Sequence, residues 1–132
     1  LGLDRVRGRG CVVGLLLLRI RDRLLLLGDA AHPMMQYYAQ GACMAMEDAV
    51  CLSHSLAGNR DNLTMGLAAY QDNRLVRTAR VQLGARAIGD HINHAEGMHA
   101  RVRNEILRGM SADECYDRLA WLYGSTGLSG TA

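Results

Sequence analysis

The chain has 132 residues, 49% of them hydrophobic and 21% charged, with a formal net charge of +2. That is enough for one domain with a modest core, and the charge is too small to imply a polyanionic partner. All 15 basic residues are arginine, and phenylalanine is absent, which reads as coding bias rather than chemistry.

Residues 1–23 are rich in Arg, Gly and Leu and fit neither a helical nor an alternating period. The apolar run Cys11 to Leu18 falls far short of the ~20 residues of a membrane helix. No small-residue cleavage site follows it before the next charges, so it does not resemble a signal peptide. Arg5, Arg7, Arg9, Arg19, Arg21 and Arg23 raise nucleic acid as a partner. Asp4 and Asp22 break that run and no aromatic residue is interleaved, so it is discounted.

Leu24 to Leu27 reads as a short strand, fully buried and covered on both faces. Gly28-Asp29 ends it, and residues 30–40 form a loop containing Pro33. Gly41 opens a helix that Gly58 closes. Its apolar stripe is Ala42, Ala45, Met46, Ala49, Val50 and Leu56, with Glu47, Asp48, Ser53 and His54 mostly off it. Asn62 caps a second helix from Leu63. Its period runs to about Ala95, long enough to predict a break at Gly84 or Gly89. Residues 98–108 form another helix. Ser111 and Glu114 make a capping box for a last helix, with Cys115, Leu119 and Leu122 on its apolar face. The tail 125–132 is expected to be disordered.

The four cysteines, Cys11, Cys43, Cys51 and Cys115, form no close pair. They read as reduced, mostly buried thiols. His91, His94 and His99 read as solvated or packed rather than metal ligands, and no metal is expected. Arg74, Arg77 and Arg80 share a helical face that reads as solvated and ion-paired.

Two features carry chemistry. A carboxylate after a buried strand, Asp29, can accept hydrogen bonds from ligand hydroxyls, although a plain turn is the commoner reason for Gly-Asp. The helix start Gly41-Ala42-Cys43 presents unpaired N–H groups and a positive helix end to an anion.

The stretch "GDAAHPMMQYYAQGACMAMEDAVCL" resembles the C-terminal flavin-binding motif of the single-component FAD-dependent aromatic-ring hydroxylases. The segments "YQDNRLVRTARVQ", "RNEIL" and "YDRLAWLYG" look like the C-terminal helices of the 3-hydroxybenzoate 6-hydroxylase branch, close to the salicylate hydroxylases. The resemblance covers residues 23–124. It implies an α/β parent with the FAD/NAD(P)-binding fold of aromatic hydroxylases. This chain would be a mainly helical C-terminal fragment of it, with one or two short strands.

The resemblance assigns FAD as cofactor and NADH or NADPH as reductant. It implies O2 and a small phenolic aromatic acid as substrates, in aromatic compound catabolism. Asp29 would hold the ribityl chain, with Gly28 giving backbone room. Gly41, Ala42 and Cys43 would face the pyrimidine edge of the flavin. Pro33 and Met35 would lie over the isoalloxazine, and Gln36 would orient the substrate hydroxyl. No G-x-G-x-x-G follows a strand, so the chain alone is expected to be inactive. A cytoplasmic enzyme is expected, able to form a homodimer and without nucleic-acid or membrane partners. The rival expectation is a helical remnant or interaction module without catalysis. Residues 1–22 are expected to be atypical of the family, as from DNA read out of frame, and irregular or loosely packed.

Overall fold

The computed structural model describes residues 20–21, 24–126 and 128, with side chains from residue 24 onward. Residues 1–19, most of the stretch expected to be atypical, lie outside it, as do residues 127 and 129–132 of the expected tail. The elements are β1 (Ile20–Arg21), β2 (Leu24–Leu25), α1 (Gly41–Ala57), α2 (Leu63–Ile88), α3 (Gly97–Gly109) and α4 (Ala112–Tyr123). The strands pair antiparallel, Ile20 with Leu25 and Arg21 with Leu24. Short 3-10 turns span Gly28–Ala30 and Gln36–Tyr38, and a π turn spans Gly89–Asn93.

The mainly helical expectation holds, with two very short strands. The fully buried strand does not. Leu24 is 66% exposed and Leu27 39%. Only Leu25 and Leu26 pack inward, against Ala31, Cys51 and Tyr70. A strand is covered on both faces only inside a sheet, and β2 has β1 as its single neighbour among the described residues.

Helices α1 and α2 form an antiparallel hairpin, with Asp48 and Glu47 of α1 reaching Arg74 and Arg77 of α2. The Asn62 side chain accepts the Met65 N–H at 3.1 Å and so caps α2. A second apolar cluster joins Met44, Val81 and Leu122, with Met34, Tyr38 and Trp121 against it. It ties the loop and α4 to the hairpin. Ser111 and Glu114 complete the capping box of α4. Cys115 is exposed, however, so the inward face of α4 runs through Leu119, Trp121 and Leu122. Of the described cysteines only Cys51 is buried.

The long helical period breaks at Gly89, where α2 passes into the π turn, and runs unbroken through Gly84. Both glycines have a second reason to be there. A Cβ at Gly84 would lie 2.6 Å from Tyr38 Cε2, and one at Gly89 2.4 Å from Tyr37 Cε2. The two rings therefore lie directly on glycine backbone. Gly89→Ala is expected to push Tyr37 off this seat, with overpacking costing ~1–3 kcal/mol before any gain in helix propensity. Urea unfolding followed by circular dichroism would measure the net loss.

Candidate functional site

Gly28 takes a left-handed φ of +58°, a conformation that glycine adopts without the steric cost of a side chain. Its carbonyl accepts the N–H groups of Ala31 and His32, each at 2.9 Å, so the chain turns sharply at the end of the strand. Asp29 sits at the tip of that turn and is exposed. Among the described residues no hydrogen bond or ion pair holds its carboxylate. Helix α1 begins beside it, since a Cβ on Gly41 would stand 3.6 Å from Asp29 Oδ1 and 4.0 Å from Met34 Cγ. Gln40 precedes the helix without a side-chain cap. The first helical bond runs from the Met44 N–H to the Gln40 carbonyl at 2.9 Å. The Gly41, Ala42 and Cys43 N–H groups thus lack intrahelical acceptors. A bare carboxylate and an open, positive helix end stand side by side, facing solvent.

The loop between them is clamped. Gln82 of α2 donates to the Pro33 carbonyl at 2.9 Å. The Tyr37 hydroxyl and His94 Nε2 share a hydrogen bond, and Tyr123 donates to the Tyr38 carbonyl at 3.2 Å. Tyr38 and Trp121 meet edge to face. Ala39 is held at a left-handed φ of 52°, a conformation that costs a non-glycine residue ~1 kcal/mol and that these anchors over-determine. Gln36 is exposed at the head of the 3-10 turn.

Behind the turn lies a buried charged network, and here the sequence expectations need correcting. Asp48, expected mostly off the apolar stripe of α1, is fully buried with Met44 and Cys51. Met46 and Val50, placed on that face, are 63% and 44% exposed. Arg74, expected on a solvated and ion-paired face, is ion-paired but only 1% exposed. The reason is pairing: buried charges are tolerated when partnered and hydrogen-bonded.

Asp48 Oδ2 accepts the Gly28 N–H at 3.1 Å and contacts His32 Nε2 at 2.5 Å. Arg74 Nε donates to Asp48 Oδ1 at 2.7 Å. Arg74 also donates to Glu47 at 2.8 Å, and Arg77 grips both Glu47 oxygens at 2.7 and 2.8 Å. Arg77 reaches on to the Trp121 and Leu122 carbonyls, each at 3.2 Å, at the end of α4. The Arg80 guanidinium lies over the Trp121 ring, 3.8 Å from its centre. Burial alone would raise the Asp48 carboxyl, but the bonds from His32, Arg74 and Gly28 outweigh it and hold it below the usual carboxylate range. The Tyr70 phenol is raised by burial and by the nearby Asp48 carboxylate.

The sequence gives no local sign that His32, Asp48 and Arg74 meet, because hydropathy sets Asp48 and Arg74 on solvated faces. Gly41, Met44, Asp48, Cys51 and Ser55 recur at helical spacing, and that register was the available signal. The three histidines part ways: His91 and His99 face each other at 3.3 Å while His94 holds Tyr37. Among the described residues no three His, Cys, Asp or Glu side chains converge as a metal site, and no helix is long and apolar enough to cross a membrane.

The carboxylate can accept hydrogen bonds from hydroxyl groups, and the open helix start beside it can donate to an anion. Residues 19–84 match the FAD binding domain family, and the chain belongs to that family. The match begins inside the N-terminal stretch set apart as atypical. Over 102 residues the chain is 48% identical to a protein named 3-hydroxybenzoate 6-hydroxylase from Polaromonas naphthalenivorans (strain CJ2), covering 77% of this chain and 25% of that one. It is 51% identical over 105 residues to 3-hydroxybenzoate 6-hydroxylase 1 of Aquipseudomonas alcaligenes, covering 80% and 26%. It is 36% identical over 104 residues to 3-amino-4-hydroxybenzoate 2-monooxygenase of Streptomyces cremeus, covering 79% and 26%. The chain spans about a quarter of the length of these relatives.

Proposed function

We propose that the chain is the C-terminal FAD-binding portion of a flavin-dependent monooxygenase. Its substrate would be a phenolic aromatic acid of the 3-hydroxybenzoate or salicylate kind, with NADH or NADPH as reductant. The observation that carries this reading is the Asp29 carboxylate standing beside the uncapped start of α1. The identity to 3-hydroxybenzoate 6-hydroxylases supports it.

When bound, FAD supplies the redox and oxygen-activating chemistry. The protein's part is binding and orientation. Asp29 accepts hydrogen bonds from ribityl hydroxyls at lone pairs that nothing else in the described structure uses. The Gly41, Ala42 and Cys43 N–H groups and the helix end stabilise negative charge at the pyrimidine edge of the flavin. Pro33 and Met35 would lie on the loop that covers the ring system, and Gln82 holds that loop to α2 through the Pro33 carbonyl. Gln36, whose amide both donates and accepts, would orient the substrate hydroxyl. The lack of a side chain at Gly41 supports the reading, since it keeps clear the space beside Asp29 Oδ1 and Met34 that a Cβ would enter.

The test is a hybrid in which residues 24–124 replace the matching segment of the Polaromonas naphthalenivorans protein. It should purify yellow and couple oxidation of NADH or NADPH to hydroxylation of 3-hydroxybenzoate. A colourless or catalytically dead hybrid that is otherwise folded would overturn the reading. Gln36→Ala in the hybrid should keep FAD bound but slow hydroxylation or divert oxygen to peroxide, read as product formed per O2 consumed. The 132-residue chain by itself is expected to retain no stoichiometric flavin, as checked by absorbance in the flavin band.

A further inference from the structure

We infer that Asp48 and His32 are positioning residues for flavin binding: they clasp the Gly28–His32 turn from behind and so set where the Asp29 carboxylate stands. The inference rests on the reading of Asp29 as a flavin-binding residue. One oxygen, Asp48 Oδ2, meets both ends of the turn, the Gly28 N–H at 3.1 Å and His32 Nε2 at 2.5 Å. The Gly28 carbonyl closes the same turn from inside, through Ala31 and His32. Arg74 holds the other Asp48 oxygen at 2.7 Å and is itself tied to Glu47. A carboxylate partner assigns the proton to Nε2 of His32. Its Nδ1 is buried and lacks a partner among the described residues.

Neither His32 nor Asp48 is exposed, so neither can touch a ligand, and their effect must pass through the turn. Gly28 has a wide choice of backbone conformations, and the clasp selects the one with φ +58°. That choice puts Asp29 Oδ1 within 3.6 Å of the Gly41 Cβ position at the open helix end. Without the clasp the turn can sample other conformations, and the cost of ordering it falls on cofactor binding.

Asp48 variants also strike the α1–α2 contact and can unfold the chain, so His32 carries the test. His32→Leu removes the N–H donor. His32→Gln restores one at similar reach. Hydrogen exchange of the 132-residue chain, followed by mass spectrometry, reads the turn directly. In His32→Leu, peptides covering residues 24–35 should exchange faster while those of α2 stay as in wild type. In the hybrid flavoenzyme His32→Leu should raise the Kd for FAD about tenfold, the loss of one hydrogen bond's worth of preorganisation. His32→Gln should recover most of it. Unchanged exchange over residues 24–35, or a Gln variant no better than Leu, overturns the inference. Asp29→Ala in the same hybrid separates the two claims. If Asp29→Ala weakens FAD and His32→Leu does not, the clasp is wrong and the flavin reading stands. If Asp29→Ala changes nothing, the flavin reading itself fails.

Discussion

Asp48→Ala is expected to cost ~3–5 kcal/mol of stability, because it leaves the buried Arg74 guanidinium without its carboxylate. The domain total is on the order of 5–15 kcal/mol, so this variant stands at the edge of folding. Asp48 is fully buried and receives Arg74, His32 and the Gly28 N–H. Urea unfolding by circular dichroism at pH 7 measures the loss, and a change under 1 kcal/mol would show that the network is not a stabilising unit. The pH dependence has a defined sign. The folded Asp48 carboxyl is held below its ordinary range. Its contribution is therefore complete above the ordinary carboxylate value of about 4. It is lost as the pH falls through the lower, folded value. Wild-type stability should fall away below about pH 4, and a folded Asp48→Asn variant should lack that share of the decline.

Asp29→Ala in the hybrid flavoenzyme should weaken FAD binding by 1.5–3 kcal/mol, the usual range for a hydrogen bond to a charged group, or roughly 10–150-fold in Kd. Its effect on folding should be small. Asp29 is exposed and, among the described residues, holds nothing in place. Titration of the deflavinated hybrid with FAD, followed by flavin fluorescence, gives the Kd, and thermal unfolding gives the stability. An unchanged Kd would remove Asp29 from the site. A collapse in stability with Kd intact would make it a structural turn residue. The pair of variants contrasts a surface carboxylate kept for a ligand with a buried one kept for the fold.

Local signals in the sequence determined the helix boundaries. Asn62 before an apolar period, Ser111 with Glu114 three residues on, and Gly58 at a helix end each act within one turn of chain, so the residues alone decide them. The motif around Gly28, Asp29 and Gly41 was legible for the same reason, being a short stretch whose order of strand, turn and helix start is local. Tertiary structure alone decided which face of α1 is inward. Met46 and Val50 look more buried than Asp48 by hydropathy, but burial depends on what stands opposite. Arg74 arrives from 26 positions along the chain to meet Asp48, and no local period records that meeting. Gly84 and Gly89 show the same division. As residues they mark a weak point in a helix, and only the folded loop makes them seats for Tyr38 and Tyr37. The short, exposed β2 follows the rule in the other direction. Four leucines specify an apolar strand, but a strand is buried only by neighbours, and its one neighbour among the described residues is β1.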